Sequence, residues 1–163
     1  MKLRRQAIAP ALALLLLAAA LPFAIVDTVE TGRFYLLSPQ FLEDVARRFT
    51  SPGRFRFFLQ PTLALLAGVR GGLADARAGS PPYLLGLLSG AGGRSQLLRS
   101  GAAAIGTLFA MGIILDLVYQ VVVERAVHPG AALLVGPVLI CAPYALARAL
   151  SNRAARGLAA RRG

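Results

Sequence analysis

Residues 7–26 read AIAPALALLLLAAALPFAIV, a run of 20 without a single charge. Coiled as an α-helix at about 1.5 Å per residue, it is about 30 Å long, the thickness of a bilayer's hydrocarbon core. Lys2, Arg4 and Arg5 precede it. A basic start and an apolar middle also fit a secretory signal peptide, but the run exceeds the roughly 7–15 residues of such a peptide's apolar region. Ala18, Ala19 and Ala20, the best small residues for cleavage, lie inside the apolar stretch. The run is therefore read as an uncleaved first membrane span, TM1, over 7–26.

Three further apolar runs follow. Residues 57–69 are uncharged and flanked by Arg56 and Arg70, whose long side chains can reach head groups. This short run is read as TM2 over 55–72, kinked at Pro61, with a re-entrant segment as the rival. Residues 101–123 hold one charge, Asp116, and form TM3 over 100–123. Residues 130–147 are uncharged and form TM4 over 130–148, bent by Pro137 and Pro143. Only 15% of the chain is charged, against about 25% in an ordinary soluble domain.

Between TM1 and TM2 lies a segment over 27–54. Ser38-Pro39 is a helix start, a hydroxyl to cap and a proline for the first turn. Phe41, Leu42, Val45 and Phe49 then share one face, while Glu43–Arg47 and Asp44–Arg48 pair at i,i+4 on the other. Such a helix is expected to lie flat on the membrane surface; its plainer alternative is a solvated connector. Ser51-Pro52 repeats the start signal. The fold class expected is all-α: an integral membrane protein of four transmembrane helices plus a short amphipathic interfacial helix, in one membrane domain over 1–163. A basic tail over 149–163 extends the last helix.

Charge sets the threading. Cytoplasmic flanks carry an excess of Lys and Arg. With both termini inside, the inner side holds 12 basic residues and the outer side 6. Asp27, Glu30, Glu43, Asp44 and Glu124 fall outside, and Asp75 alone inside. If TM2 did not cross, the basic tail would end outside, so the pattern favours four spans. The expected location is a bacterial inner, or plasma, membrane. The net charge of +11 also raises nucleic acid as a partner. The basic residues follow membrane edges, however, and make no stripe with aromatic platforms. The lipid bilayer is the expected partner, with another membrane subunit or a second copy of the chain beside it.

The inner loop over 73–99 is glycine-rich and tests for phosphate chemistry. A P-loop needs two glycines five apart followed by Lys and Ser/Thr; here Leu88 stands for the first glycine and Arg94 for the Lys. A dinucleotide fingerprint fails too, since Ser95 replaces the third glycine after Gly90-x-Gly92. Asp75-Ala76-Arg77 resembles a fragment of the CDP-alcohol phosphotransferase signature, whose further aspartates are missing, and one carboxylate builds no two-metal site. Arg70, Arg77 and Arg94 are read instead as contacts for anionic lipid or a partner, with Asp75 near the first two. Lone Cys141 and lone His128 make no zinc site by themselves, and no serine has a nucleophile-elbow setting. No metal, cofactor or enzyme activity is expected.

Asp116 is the most informative residue. An acid inside a span costs about 2.5–3.5 kcal/mol on insertion scales and faces the bundle interior or water. Gln60, Asp116, Tyr119 and Gln120 are expected to form a polar cluster toward the outer side, reached by Arg56. Its plain role is to fix helix packing, with burial favouring a neutral acid; its functional role is an ion site or a coupling residue. Ala102, Gly106 and Ala110 form a small-xxx-small series for close helix contact. The function expected is a noncatalytic accessory, assembly or scaffold component. The alternative is a small oligomeric transporter or channel-like protein built around Asp116.

Overall fold

The computed structural model describes residues 2–51, 54–91 and 93–161, with side chains from residue 8 onward. Among the described residues the fold is helical, without strands. Helix α1 spans Lys2–Thr31, α2 Pro39–Arg48, α3 Arg56–Arg77, α4 Tyr83–Ser89, α5 Arg94–Tyr119 and α6 Pro129–Ala160. Four of them, α1, α3, α5 and α6, are long and apolar enough to cross a membrane. The short second apolar run thus belongs to a longer helix: α3 passes through Pro61 and reaches Arg77, because Gly71 to Ala76 carry no breaker strong enough to stop it. Pro52 of the expected Ser51-Pro52 start and the fingerprint position Gly92 lie outside the described residues.

The chain divides into two compact units. The first comprises Met1–Phe58 and Phe109–Pro137. Its apolar core joins Ala13 and Ala20 of α1 to Ala110, Ile113 and Leu117 of α5 and Ala132 of α6. Small side chains dominate, so the helix backbones can approach closely. A second core sets Tyr35 and Phe41 against Ala131. The start of α2 is as the sequence implies: the Ser38 hydroxyl accepts the Phe41 N–H at 3.4 Å, with Pro39 in the first turn.

The face α2 turns inward differs from expectation. Phe41, Asp44 and Arg48 are buried, whereas Leu42 and Phe49 are exposed. Two of the three residues of this stripe at i, i+3 and i+7 are therefore charged. The Asp44–Arg48 pair does not form; Asp44 takes Arg47 instead, and Arg48 turns into the unit. The reason is competition, since Arg48 finds two other carboxylates, one buried and one half-buried, described below. At the far end of α5 the chain leaves α-geometry for a π-helical turn, Gln120–Glu124, closed by Arg125 in the left-handed region at φ 54°.

The second unit comprises Leu59–Leu108 and Val138–Gly163. Its core is Ala64, Tyr83, Leu97, Ile105, Ile140 and Tyr144. Here α3 and α6 meet through glycines. A Cβ on Gly68 would lie 2.5 Å from the Tyr144 carbonyl oxygen and 2.8 Å from the Ala147 Cβ. One on Gly72 would strike Ser151 and the Arg148 backbone. This Gly-xxx-Gly seam is the close contact of the unit. In contrast, Ala102 is exposed and a Cβ on Gly106 would meet nothing within 4 Å; of the expected small-residue series only Ala110 packs in a core, that of the first unit. The glycine-rich loop is ordered by α4, capped by Gly90 in the left-handed region at φ 77°. The basic tail is helical as far as Ala160.

Candidate functional site

Asp116 sits in the first unit with 2% of its surface exposed. Its carboxylate accepts from Arg48 Nη1 at 3.1 and 3.4 Å, from Arg56 Nη2 at 2.5 Å and from Gln120 Nε2 at 2.6 Å. Arg48 reaches it from the last turn of α2 and Arg56 from the first turn of α3. The same Arg48 grips Glu124 with two parallel bonds, Nε and Nη2 each 2.8 Å from a carboxylate oxygen. Two guanidiniums thus face two carboxylates, and the cluster carries no net charge. Asp116 is the shared acceptor of two guanidiniums.

The π turn makes this bridge possible. Glu124 lies eight residues beyond Asp116, which in a regular α-helix rotates it about 80° away from the Asp116 face. A π turn takes more residues per revolution and removes most of that offset. Both carboxylates then face α2 together. Gln120, fully buried, stitches the turn to the next segment: it donates to Asp116 while its Oε1 accepts the His128 backbone N–H at 2.5 Å. Tyr119 is adjacent but bonds elsewhere. Its hydroxyl is 2.6 Å from Ser51 Oγ, and its ring lies 5.0 Å from the Arg56 guanidinium and 5.6 Å from that of Arg48. Such stacking suits a desolvated arginine.

A second polar layer flanks the cluster. Tyr35 donates its hydroxyl to Asp44 at 2.7 Å, and its ring stacks on His128 with centroids 3.6 Å apart. Burial, reinforced by Asp44, raises the Tyr35 pKa above its ordinary value. Burial lowers that of His128, against the opposing pull of Asp27 and Glu124. For Arg48 burial works against the charge, but the Glu124 hydrogen bond and the Asp116 carboxylate outweigh it and the pKa is raised. Asp27 Oδ2 stands 3.8 Å from His128 Nδ1.

The other expected site residues are dispersed. Gln60 belongs to the second unit, where it is buried. Arg70 and Arg77 are exposed, and Arg94 donates to the Leu88 carbonyl at 2.8 Å. Asp75 does not serve Arg70 or Arg77. It takes a two-bond grip from Arg148 of α6, at 2.6 and 2.9 Å, because that arginine is buried and needs a counter-charge. Arg148 also donates to Ser100 at 3.0 Å and Tyr144 at 2.8 Å, and lies 4.4 Å over the Tyr83 ring. Nearby Asn152 donates to the Ser80 carbonyl at 3.2 Å, and its Oδ1 is buried without a partner among the described residues.

Arg48 and Glu124 are the members of the main cluster that sequence reasoning missed. A signal existed: Asp116 needs a cation, and Phe41, Asp44 and Arg48 share one α2 face by their spacing. Chemically, the cluster is a set of saturated ion pairs with no exposed nucleophile. Among the described residues no three His, Cys, Asp or Glu side chains come together as a metal site. Comparison with protein families, curated proteins and solved structures finds no match for this chain.

Proposed function

We propose that the chain is a four-span integral membrane protein of a bacterial inner membrane, with both termini cytoplasmic, that works as a noncatalytic accessory, assembly or scaffold component. The observation that carries this reading is the saturation of Asp116. An intramembrane acid that carries ions must exchange its partners, whereas this one is held by two guanidiniums and an amide. Its role is to anchor the segment before α3 onto α5. The rest of the reading follows from surface. In α1 only 11% of the most apolar stretch is buried in the chain, which leaves a long apolar face for lipid or a partner helix. The transport alternative requires both arginines to release Asp116 during each cycle.

The test is purification of the tagged full-length protein in a gentle detergent, with native mass determination and identification of copurified chains. A defined foreign subunit in fixed ratio is the expected result. A homo-oligomer alone, with pH-dependent flux in proteoliposomes that Asp116→Asn abolishes without loss of folded protein, would replace this reading with transport.

A further inference from the structure

One face of α1 changes character within a single turn. Ala20, Phe23, Asp27 and Thr31 follow one another at spacings of three and four, and so share that face. Its first part lines an apolar groove of about 370 Å³ in the first unit. Ala20 and Leu117 are buried in that groove, and Phe23, Val121 and Val122 are exposed at its edges. Asp27, about 6 Å further along the helix, lines an open polar cleft of about 700 Å³. The opposite wall makes the same change: Val127 lines the groove, and its neighbours Ala126 and His128 line the cleft. Groove and cleft therefore follow one another along α1 and again at residues 126–128.

The cleft holds charge of both signs that the protein does not use. Arg33 and Glu43 line it, and among the described residues neither has an ion-pair partner. Asp27 has only His128, at 3.8 Å. The cleft also lies where α1 ends at Thr31 and the π turn ends at Glu124, the level at which a membrane passes from chains to head groups. We infer that groove and cleft form one lipid site, with an acyl chain of an aminophospholipid in the groove, its phosphate at Arg33 and its ammonium at Asp27 and Glu43. An anionic head group without an amine would leave two carboxylates unanswered. A choline head has no N–H to donate to them. The inference rests on the membrane-spanning part of the reading above and not on the accessory role.

The test uses delipidated full-length protein in detergent and native mass spectrometry. The probes are phosphatidylethanolamine, phosphatidylglycerol and phosphatidylcholine of identical chains. Phosphatidylethanolamine should be retained about tenfold more tightly than either other lipid. Ala19→Trp, at an exposed position on the groove wall, and Arg33→Ala should each weaken it about tenfold. Arg99→Ala, an exposed change in the second unit, should leave it unaltered. Should Ala19→Trp not fold, Arg33→Ala with Glu43→Gln, both at exposed positions, carries the test. Equal retention of the three lipids, or indifference to these substitutions, overturns the site. Resistance of the chain to alkaline extraction from membranes reports insertion separately, so a failed lipid site in an inserted protein leaves the four-span reading standing.

Discussion

Asp116→Asn keeps the shape of the side chain and removes one charge. The wild-type cluster balances Arg48 and Arg56 with Asp116 and Glu124. In the variant two buried guanidiniums face one carboxylate. The amide also turns an NH₂ toward a donor, because Arg48, Arg56 and Gln120 all donate to the Asp116 oxygens. Removing one partner of a buried pair costs about 3–5 kcal/mol. For a chain of this size each kcal/mol moves Tm by about 2–4 °C, so the expected loss is about 10 °C. Thermal unfolding of purified protein in detergent, scanned at one rate, reads it. Arg56→Gln in the Asp116→Asn background restores neutrality, so the double variant should recover at least about 1 kcal/mol relative to the sum of the singles. A single-variant Tm within about 2 °C of wild type, or strictly additive losses, would refute the reasoning.

Other expectations follow from the same geometry. Gly68→Val should cost about 2 kcal/mol or more, because its side chain meets the Tyr144 carbonyl and Ala147. Gly106→Ala, with open space around it, should stay within about 0.5 kcal/mol; equal effects would contradict the Gly68–Gly72 seam. Asp75→Asn should cost about 3 kcal/mol by stranding buried Arg148, read by the same melts. His128 has its pKa lowered from 6.5 by burial, so the unfolded chain takes up the proton first as pH falls. Its contribution to stability is present above that value and is lost as pH falls toward the folded pKa. His128→Phe, which keeps a ring against Tyr35, should flatten the fall in Tm between pH about 7.5 and about 5.5; an unchanged fall would assign it to other groups.

The long helices were legible because length without charge is a one-dimensional property. Residues 7–26 and 130–147 announce α1 and α6 without any knowledge of their neighbours. Asp116 was legible for the same reason, as a charge where none is expected. Its partners were not. Arg48 reads as the polar side of α2, and its i,i+4 match with Asp44 hides its inward role. Glu124 reads as a residue of the next turn, because the π geometry that swings it beside Asp116 has no sequence mark. Asp75 and Arg148 are 73 positions apart, and only helix packing brings them together. The same holds for Gly68 and Gly72. Their spacing matches that of Ala102 and Gly106, and only the surface facing each pair distinguishes a seam from an open face.

The central claim is that the buried ion cluster holds the segment before α3 in place. Hydrogen–deuterium exchange of the wild type and Asp116→Asn, compared over residues 39–51 in the same detergent, measures it most directly. Faster exchange throughout this segment in the variant, with residues 138–152 of the second unit unchanged, is the result the claim requires. Equal protection of residues 39–51 in the two proteins would show that Phe41 and Tyr35 suffice to hold α2, and would contradict it.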